Sequence, residues 1–183
     1  MKKNIYALAS LIFLFAACNL NKAIINSQAE MREGSSNFVV TKDGKKIKGS
    51  DCKVNHEYNE KKYKYVTLDD KKYPFKELKY AQTDDAYLLA EDNKWFSRIA
   101  KGKKGVVEAY LLYSRGDTYK ATAFIRKAEG SLMNFTTNNL FEMIQEYPKA
   151  VAVFNEKFSK KNNNTGVVDP QYKKLIEVVS ECN

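Results

Sequence analysis

Hydrophobic and polar positions change rhythm three times along this chain. Residues 5–15 are apolar with only Ser10 interrupting them. From Phe38 to Lys127 the apolar residues come in short runs separated by turn-forming residues, and beyond Gly130 they recur at three- and four-residue intervals. Each rhythm predicts a different kind of element.

The middle rhythm reads as strands. "FVVTK" and "KKIKG" flank Asp43-Gly44, a strong hairpin signal. Asp69-Asp70 follows "YKYVTL", Thr83–Asp85 precedes "AYLLA", and Glu91–Asn93 separates that run from "KWFSRIA". Lys101–Gly105 then leads into "VVEAYLLYS", and Arg115–Asp117 turns into "TYKATAFIRK". Such spacing predicts an antiparallel β-meander of about six to eight strands. Val106–Tyr113 is apolar on nearly both faces, Glu108 being the exception, so it is expected as a central strand covered on two sides.

The last rhythm supplies the cover. A first helix is expected over about Asn139–Tyr147, presenting Leu140, Ile144 and Tyr147, with Thr137 or Asn138 as cap and Pro148 as its break. A second, Lys149–Lys160, carries Val151, Phe154 and Phe158 on one side. A third follows Asp169-Pro170 and carries Tyr172, Leu175, Ile176 and Val179. The fold class is therefore α+β: a meander followed by about three carboxyl-terminal helices packing on the sheet. Residues 37–183 form one domain, with the sheet over 37–128 and the helical part over 129–183. A chain of 183 residues suits a single core, burying roughly 70% of its unfolded surface.

The first rhythm is an address. An apolar stretch of 11 residues makes a helix about 17 Å long, far short of the ~30 Å hydrocarbon core. Lys2 and Lys3 precede it and Ala16-Ala17 follow, the order of a secretory signal. Cys18 comes directly after Phe15-Ala16-Ala17, and this junction resembles the lipobox of bacterial lipoproteins, with Phe15 where leucine is usual. The layout of the whole chain is also similar to small bacterial lipoproteins in which a meander precedes a helical tail. The resemblance implies a signal peptide over residues 1–17 and acyl chains such as palmitate on Cys18. Asn19 in place of aspartate implies the outer membrane, facing the periplasm. Several acyl chains on one cysteine meet the requirement for stable anchoring. Residues 18–36 then form the lipidated cysteine and a tether that, as a coil, spans roughly 25 Å.

Charge adds one candidate surface. The chain carries 31 basic and 22 acidic residues, and only Arg32, Arg98, Arg115 and Arg126 are arginines. Residues 37–127 hold 21 basic and 13 acidic residues, whereas 128–183 hold 6 and 7. Lysines gather near turns as Lys61, Lys62 and Lys64, Lys71 and Lys72, and Lys101, Lys103 and Lys104, with tyrosines between them. A basic, aromatic surface suits an anionic polymer. The compartment implied by Cys18 selects lipid headgroups, envelope glycans or another envelope protein over nucleic acid. The alternative reading of these lysines is a solvated pattern that protects strand edges.

Little in the sequence points to catalysis. No phosphate-binding glycine loop, dinucleotide fingerprint or nucleophile elbow is present. His56 is the only histidine, and no cysteine has a close-spaced companion, so neither a metal nor a cofactor is expected. Cys52 and Cys182 are candidates for a disulfide that an oxidising compartment permits. The rival to a binding protein is a periplasmic hydrolase using Asp84, Asp85, Glu91 and Asp92, carboxylates that also sit where turns favour them.

Overall fold

Two-residue turns set the register of the sheets. Asp69-Asp70 (φ 46° and 64°) and Asp92-Asn93 (φ 48° and 57°) occupy the left-handed region at both central positions, as a type I′ hairpin requires. Asp and Asn tolerate that region better than other side chains. In the computed structural model, which describes residues 27–57, 62–112, 122–128, 130–158 and 171–183, these turns join neighbouring antiparallel strands.

The strands among the described residues are β1 (Asn37–Thr41), β2 (Lys46–Gly49), β3 (Cys52–Glu57), β4 (Lys62–Leu68), β5 (Lys71–Pro74), β6 (Leu78–Gln82), β7 (Tyr87–Glu91), β8 (Lys94–Lys101), β9 (Val107–Leu112), β10 (Ala123–Lys127) and β11 (Met133–Asn134). Eight of them form one antiparallel sheet in the order β11-β10-β9-β8-β7-β6-β1-β2, and β3-β4-β5 form a second. The chain thus leaves the large sheet after β2, makes a three-stranded excursion, and returns as β6 beside β1. The expected meander is present, but β3–β5 are split off as a separate sheet. Three helices follow: α1 (Thr137–Ile144), α2 (Pro148–Phe158) and α3 (Gln171–Ser180).

One face of the large sheet carries two covers side by side. Val39, Leu88 and Trp95 pack with Val66, Leu68 and Phe75 from the excursion, and Phe75 meets Trp95 edge-on at 5.0 Å. Further along, Ile99, Ala109, Leu111 and Ile125 pack with Leu140, Ile144, Leu175 and Val178 of the helices. A bulge between Arg98 and Ala100 turns both Ile99 and Ala100 into that cluster. Strand β9 lies between β8 and β10 and is buried along nearly its whole length, as its sequence predicts.

The helix ends differ slightly from expectation. Thr136, one residue earlier than predicted, caps α1 by accepting a bond from the Asn139 amide at 3.1 Å. Pro148 opens α2, a position where its missing donor and fixed φ are no handicap.

Residues 27–36 differ more. They were expected in the tether, yet they lie as a strap against the large sheet. Ser27 is buried and donates its hydroxyl to the Ile99 carbonyl. The Met31 carbonyl accepts from Arg98 Nη2 at 2.7 Å, and the Glu33 amide donates to Gln82 Oε1 at 2.6 Å. Buried Gln82 and Arg98 need partners, and the strap backbone supplies them.

The Cys52–Cys182 disulfide is not formed. Both thiols are free and buried, Cys52 in the cluster under the excursion and Cys182 in the cluster under the helices. Burial pushes Cys52 up to about 12 and Cys182 up to about 11, so both stay protonated at neutral pH.

Candidate functional site

The β1–β2 turn and the β5 edge meet at one end of the molecule. A short 3-10 turn, Phe75–Glu77, follows β5, and its Glu77 carbonyl accepts from the Lys42 amide at 2.8 Å. That bond ties the two turns together across the boundary between the sheets. A cleft of about 570 Å³ opens there, lined by Lys42, Lys45, Lys71, Lys72 and Lys76, with Ile47, Tyr73 and Pro74 forming its apolar wall. Asp43 and Glu77 are its only acidic lining residues among the described residues.

All five lysines are exposed, and none is ion-paired with a carboxylate among the described residues. Lys72 lies over the Tyr65 ring at 4.8 Å and Lys71 near the Tyr73 ring at 5.3 Å, contacts that leave the ammonium groups solvated. Asp43 is occupied internally: its carboxylate accepts from the Thr41 hydroxyl and from the Lys45 amide. The Thr41 bond, seconded by the backbone, holds it below the ordinary carboxylate range. The cleft therefore keeps a surplus of unpaired positive charge beside aromatic surface.

The lysines singled out in the sequence divide between places. Lys71 and Lys72 are in the cleft. Lys61 lies outside the described residues, as do the side chains of Lys62, Lys64 and Lys104. Lys101 and the exposed Lys103 sit at the opposite end of β8, so no single basic surface unites all the groups. Lys42 and Lys45, on the β1–β2 turn, were not singled out and join Lys71, Lys72 and the nearby Lys76 only because the two turns meet.

A second charged site lies within the fold, on the face of the large sheet opposite the helices. Glu108 is buried, and its carboxylate accepts from Arg98 Nη1 at 3.1 Å, Arg126 Nε at 2.7 Å and the Tyr110 hydroxyl at 2.8 Å. Arg126 Nη2 also lies 2.5 Å from Glu108 and donates to the Tyr80 hydroxyl at 3.0 Å. The Arg98 guanidinium stacks 3.7 Å from the Tyr87 ring centre. Burial raises the Tyr110 hydroxyl, and the Glu108 charge adds to that. Beside this cluster is a cavity of about 270 Å³ to which Glu33 and Lys101 also contribute. One signal in the sequence marked it: Glu108 is the lone charge in an apolar strand, and Arg98 and Arg126 are two of four arginines in a lysine-dominated chain.

The carboxylates named for a hydrolase do not converge. Asp84 and Asp85 precede β7, Glu91 is its last residue and Asp92 begins the turn after it, so the five-residue strand, rising about 3.3 Å per residue, holds the two pairs at opposite ends. Asp84 accepts from Asn37 Nδ2 at 2.8 Å. The His56 side chain lies outside the described residues. Among the described residues no three His, Cys, Asp or Glu side chains gather as a metal site, and no helix is long and apolar enough to cross a membrane. Cys18 falls outside the described residues. Comparison with known proteins gives no matching family model, no matching curated protein and no matching solved structure.

Proposed function

We propose that this chain is a lipid-anchored envelope protein, a binder and not a catalyst, whose lysine cleft holds an anionic component of the envelope. The observation that carries the binding role is the convergence of five exposed lysines with no carboxylate pairing them among the described residues. The anchoring role rests on Cys18 after Phe15-Ala16-Ala17. Asn19, where the lipobox resemblance makes aspartate the mark of inner-membrane retention, supports outer-membrane attachment facing the periplasm.

Lysine is a compact, strongly hydrated charge on a flexible stem, suited to a polymer whose charges are spaced irregularly. The apolar wall of Ile47, Tyr73 and Pro74 gives such a polymer somewhere to lay carbon surface. An anionic glycan fits this pairing of charge with rings. Metabolic labelling with palmitate tests the anchor: wild type takes up label and Cys18→Ala does not, whereas equal label in both overturns the anchoring. Retention of the detergent-solubilised chain on immobilised polygalacturonate tests the cleft. Replacing Lys42, Lys45, Lys71, Lys72 and Lys76 with Gln is expected to weaken binding at least about tenfold at low salt. Unchanged retention overturns the cleft as the binding surface.

A further inference from the structure

The inner cavity has donors that its own carboxylates do not use up. Three cations line it, Arg98, Lys101 and Arg126, against Glu108 and Glu33. Glu108 is committed to the two arginines and Tyr110. Glu33 is held less tightly. Its side chain is 39% exposed, and it reaches Arg98 Nη2 and Lys101 Nζ at 3.3 Å each and Lys46 Nζ at 3.8 Å. Charge-assisted contacts of this kind settle nearer 2.7–2.9 Å when the geometry is good. Arg98, with only 3% of its side chain exposed, still has a buried Nε with no hydrogen-bond partner among the described residues. Buried donors of this kind are ordinarily hydrogen-bonded.

We infer that this cavity is a binding site for a small organic carboxylate, which displaces the Glu33 side chain and takes its place on Arg98 and Lys101. Three features favour that ligand class. Glu33 itself demonstrates that a carboxylate reaches these two cations. The guanidinium group donates in a fork suited to a carboxylate, and Arg98 Nη2, which also donates to the Met31 carbonyl, already reaches that of Glu33. The Tyr80 and Tyr87 side chains supply aromatic walls for a short carbon chain, and about 270 Å³ suits a molecule of that size. Because Glu33 belongs to the strap, its displacement also loosens one of the strap's attachments to the sheet. The site is separate from the lysine cleft, sharing no lining residue with it.

Succinate is the probe, titrated into the detergent-solubilised full chain at low salt while the arginine Nε–H signals are followed by NMR, with chloride and inorganic phosphate as comparisons. Glu33→Gln removes the competing charge at nearly constant shape, and succinate affinity is expected to rise about tenfold. Lys101→Gln, at a half-exposed position, is expected to lower it by a similar factor. A thermal melt of each variant checks that it is folded. The Lys71→Gln/Lys72→Gln variant is expected to bind succinate unchanged, which separates this site from the cleft. No response to succinate in folded Glu33→Gln overturns the inference, as does a response indifferent to Lys101→Gln. Equal responses to succinate, phosphate and chloride overturn the assignment to carboxylates.

Discussion

Strands β8, β9 and β10 present two opposite faces that are buried by different physics. Toward the helices they show Ile99, Ala109, Leu111 and Ile125, hydrocarbon against hydrocarbon. Toward the strap, alternate residues of the same strands include Arg98, Glu108, Tyr110 and Arg126, a network of charges set beside the rings of Phe96 and Phe124. Apolar burial is nondirectional and depends on volume being filled. Buried ions depend on every partner being present, since their mutual attraction does little more than offset their desolvation. One face should therefore respond to changes of size and the other to the loss of a partner.

The largest effect is expected from Glu108→Ala, which leaves two buried guanidinium groups without their shared carboxylate and should destabilise by about 3–5 kcal/mol in urea denaturation. Replacing the network whole sharpens the contrast. Arg98→Met, Glu108→Leu and Arg126→Met together should destabilise less than Glu108→Ala alone, because no unpaired charge remains, though the Tyr110 hydroxyl loses its carboxylate. If the triple variant is as unstable as Glu108→Ala, the charges themselves hold this face together.

The helix side should answer to volume instead. Gly102 lies at the end of β8, where an added Cβ would sit 2.7 Å from the Cys182 carbonyl oxygen and 2.8 Å from its Cβ. The Lys103 amide bonds to that same carbonyl at 2.8 Å, so the neighbour is not free to retreat. Gly102→Ala is expected to cost about 1–3 kcal/mol through overpacking, read as a lowered urea midpoint with an unchanged slope. Thr136→Ala, which removes only the cap of α1, should cost about 1 kcal/mol by the same measurement.

The smallest effect concerns the strap and depends on pH. Partial burial alone would raise the Glu33 carboxyl, but the charges of Arg98 and Lys101 and their hydrogen bonds outweigh it and hold the group below its ordinary value of 4.5. Its contribution is complete above that value and is lost as pH falls through the lower folded value. Thermal melts of wild type and Glu33→Gln should therefore differ most at neutral pH and draw together under strong acid. A constant difference across the range would mean that the Glu33 charge does not fasten the strap.

Local physics made much of the fold legible. Asp43-Gly44, Asp69-Asp70 and the turn around Asp92 mark hairpins because few residues accept those backbone angles. Helical spacing after Gly130 found all three helices, with boundaries off by a few residues where cap and proline chemistry decide the ends. The β9 strand was readable because an apolar run with one charge has few places to go in a sheet. That the meander would divide into two sheets was not readable, since it depends on β1 pairing with β6 across the whole of the excursion.

The candidate sites show the same division. Lys71 and Lys72 stood out as a cluster with Lys76 close behind them, but Lys42 and Lys45 join them only through the contact of two turns. Glu33 looked like part of a flexible tether, because its partners Arg98 and Lys101 lie more than sixty residues away in the chain. The candidate pairing of Cys52 with Cys182 was open for the same reason, and the folded chain sends the two thiols to different clusters.

By itself the sequence determined the α+β class, the turns, the helices and the lipobox-like junction at Cys18. These depend on residues within a few positions of one another, where backbone angles and side-chain spacing act directly. Only the tertiary structure decided which lysines share a cleft, which carboxylate meets which arginine, and that residues 27–36 lie on the sheet. Those outcomes depend on contacts between distant segments, and a contact of that kind leaves no mark on the residues beside it in the chain.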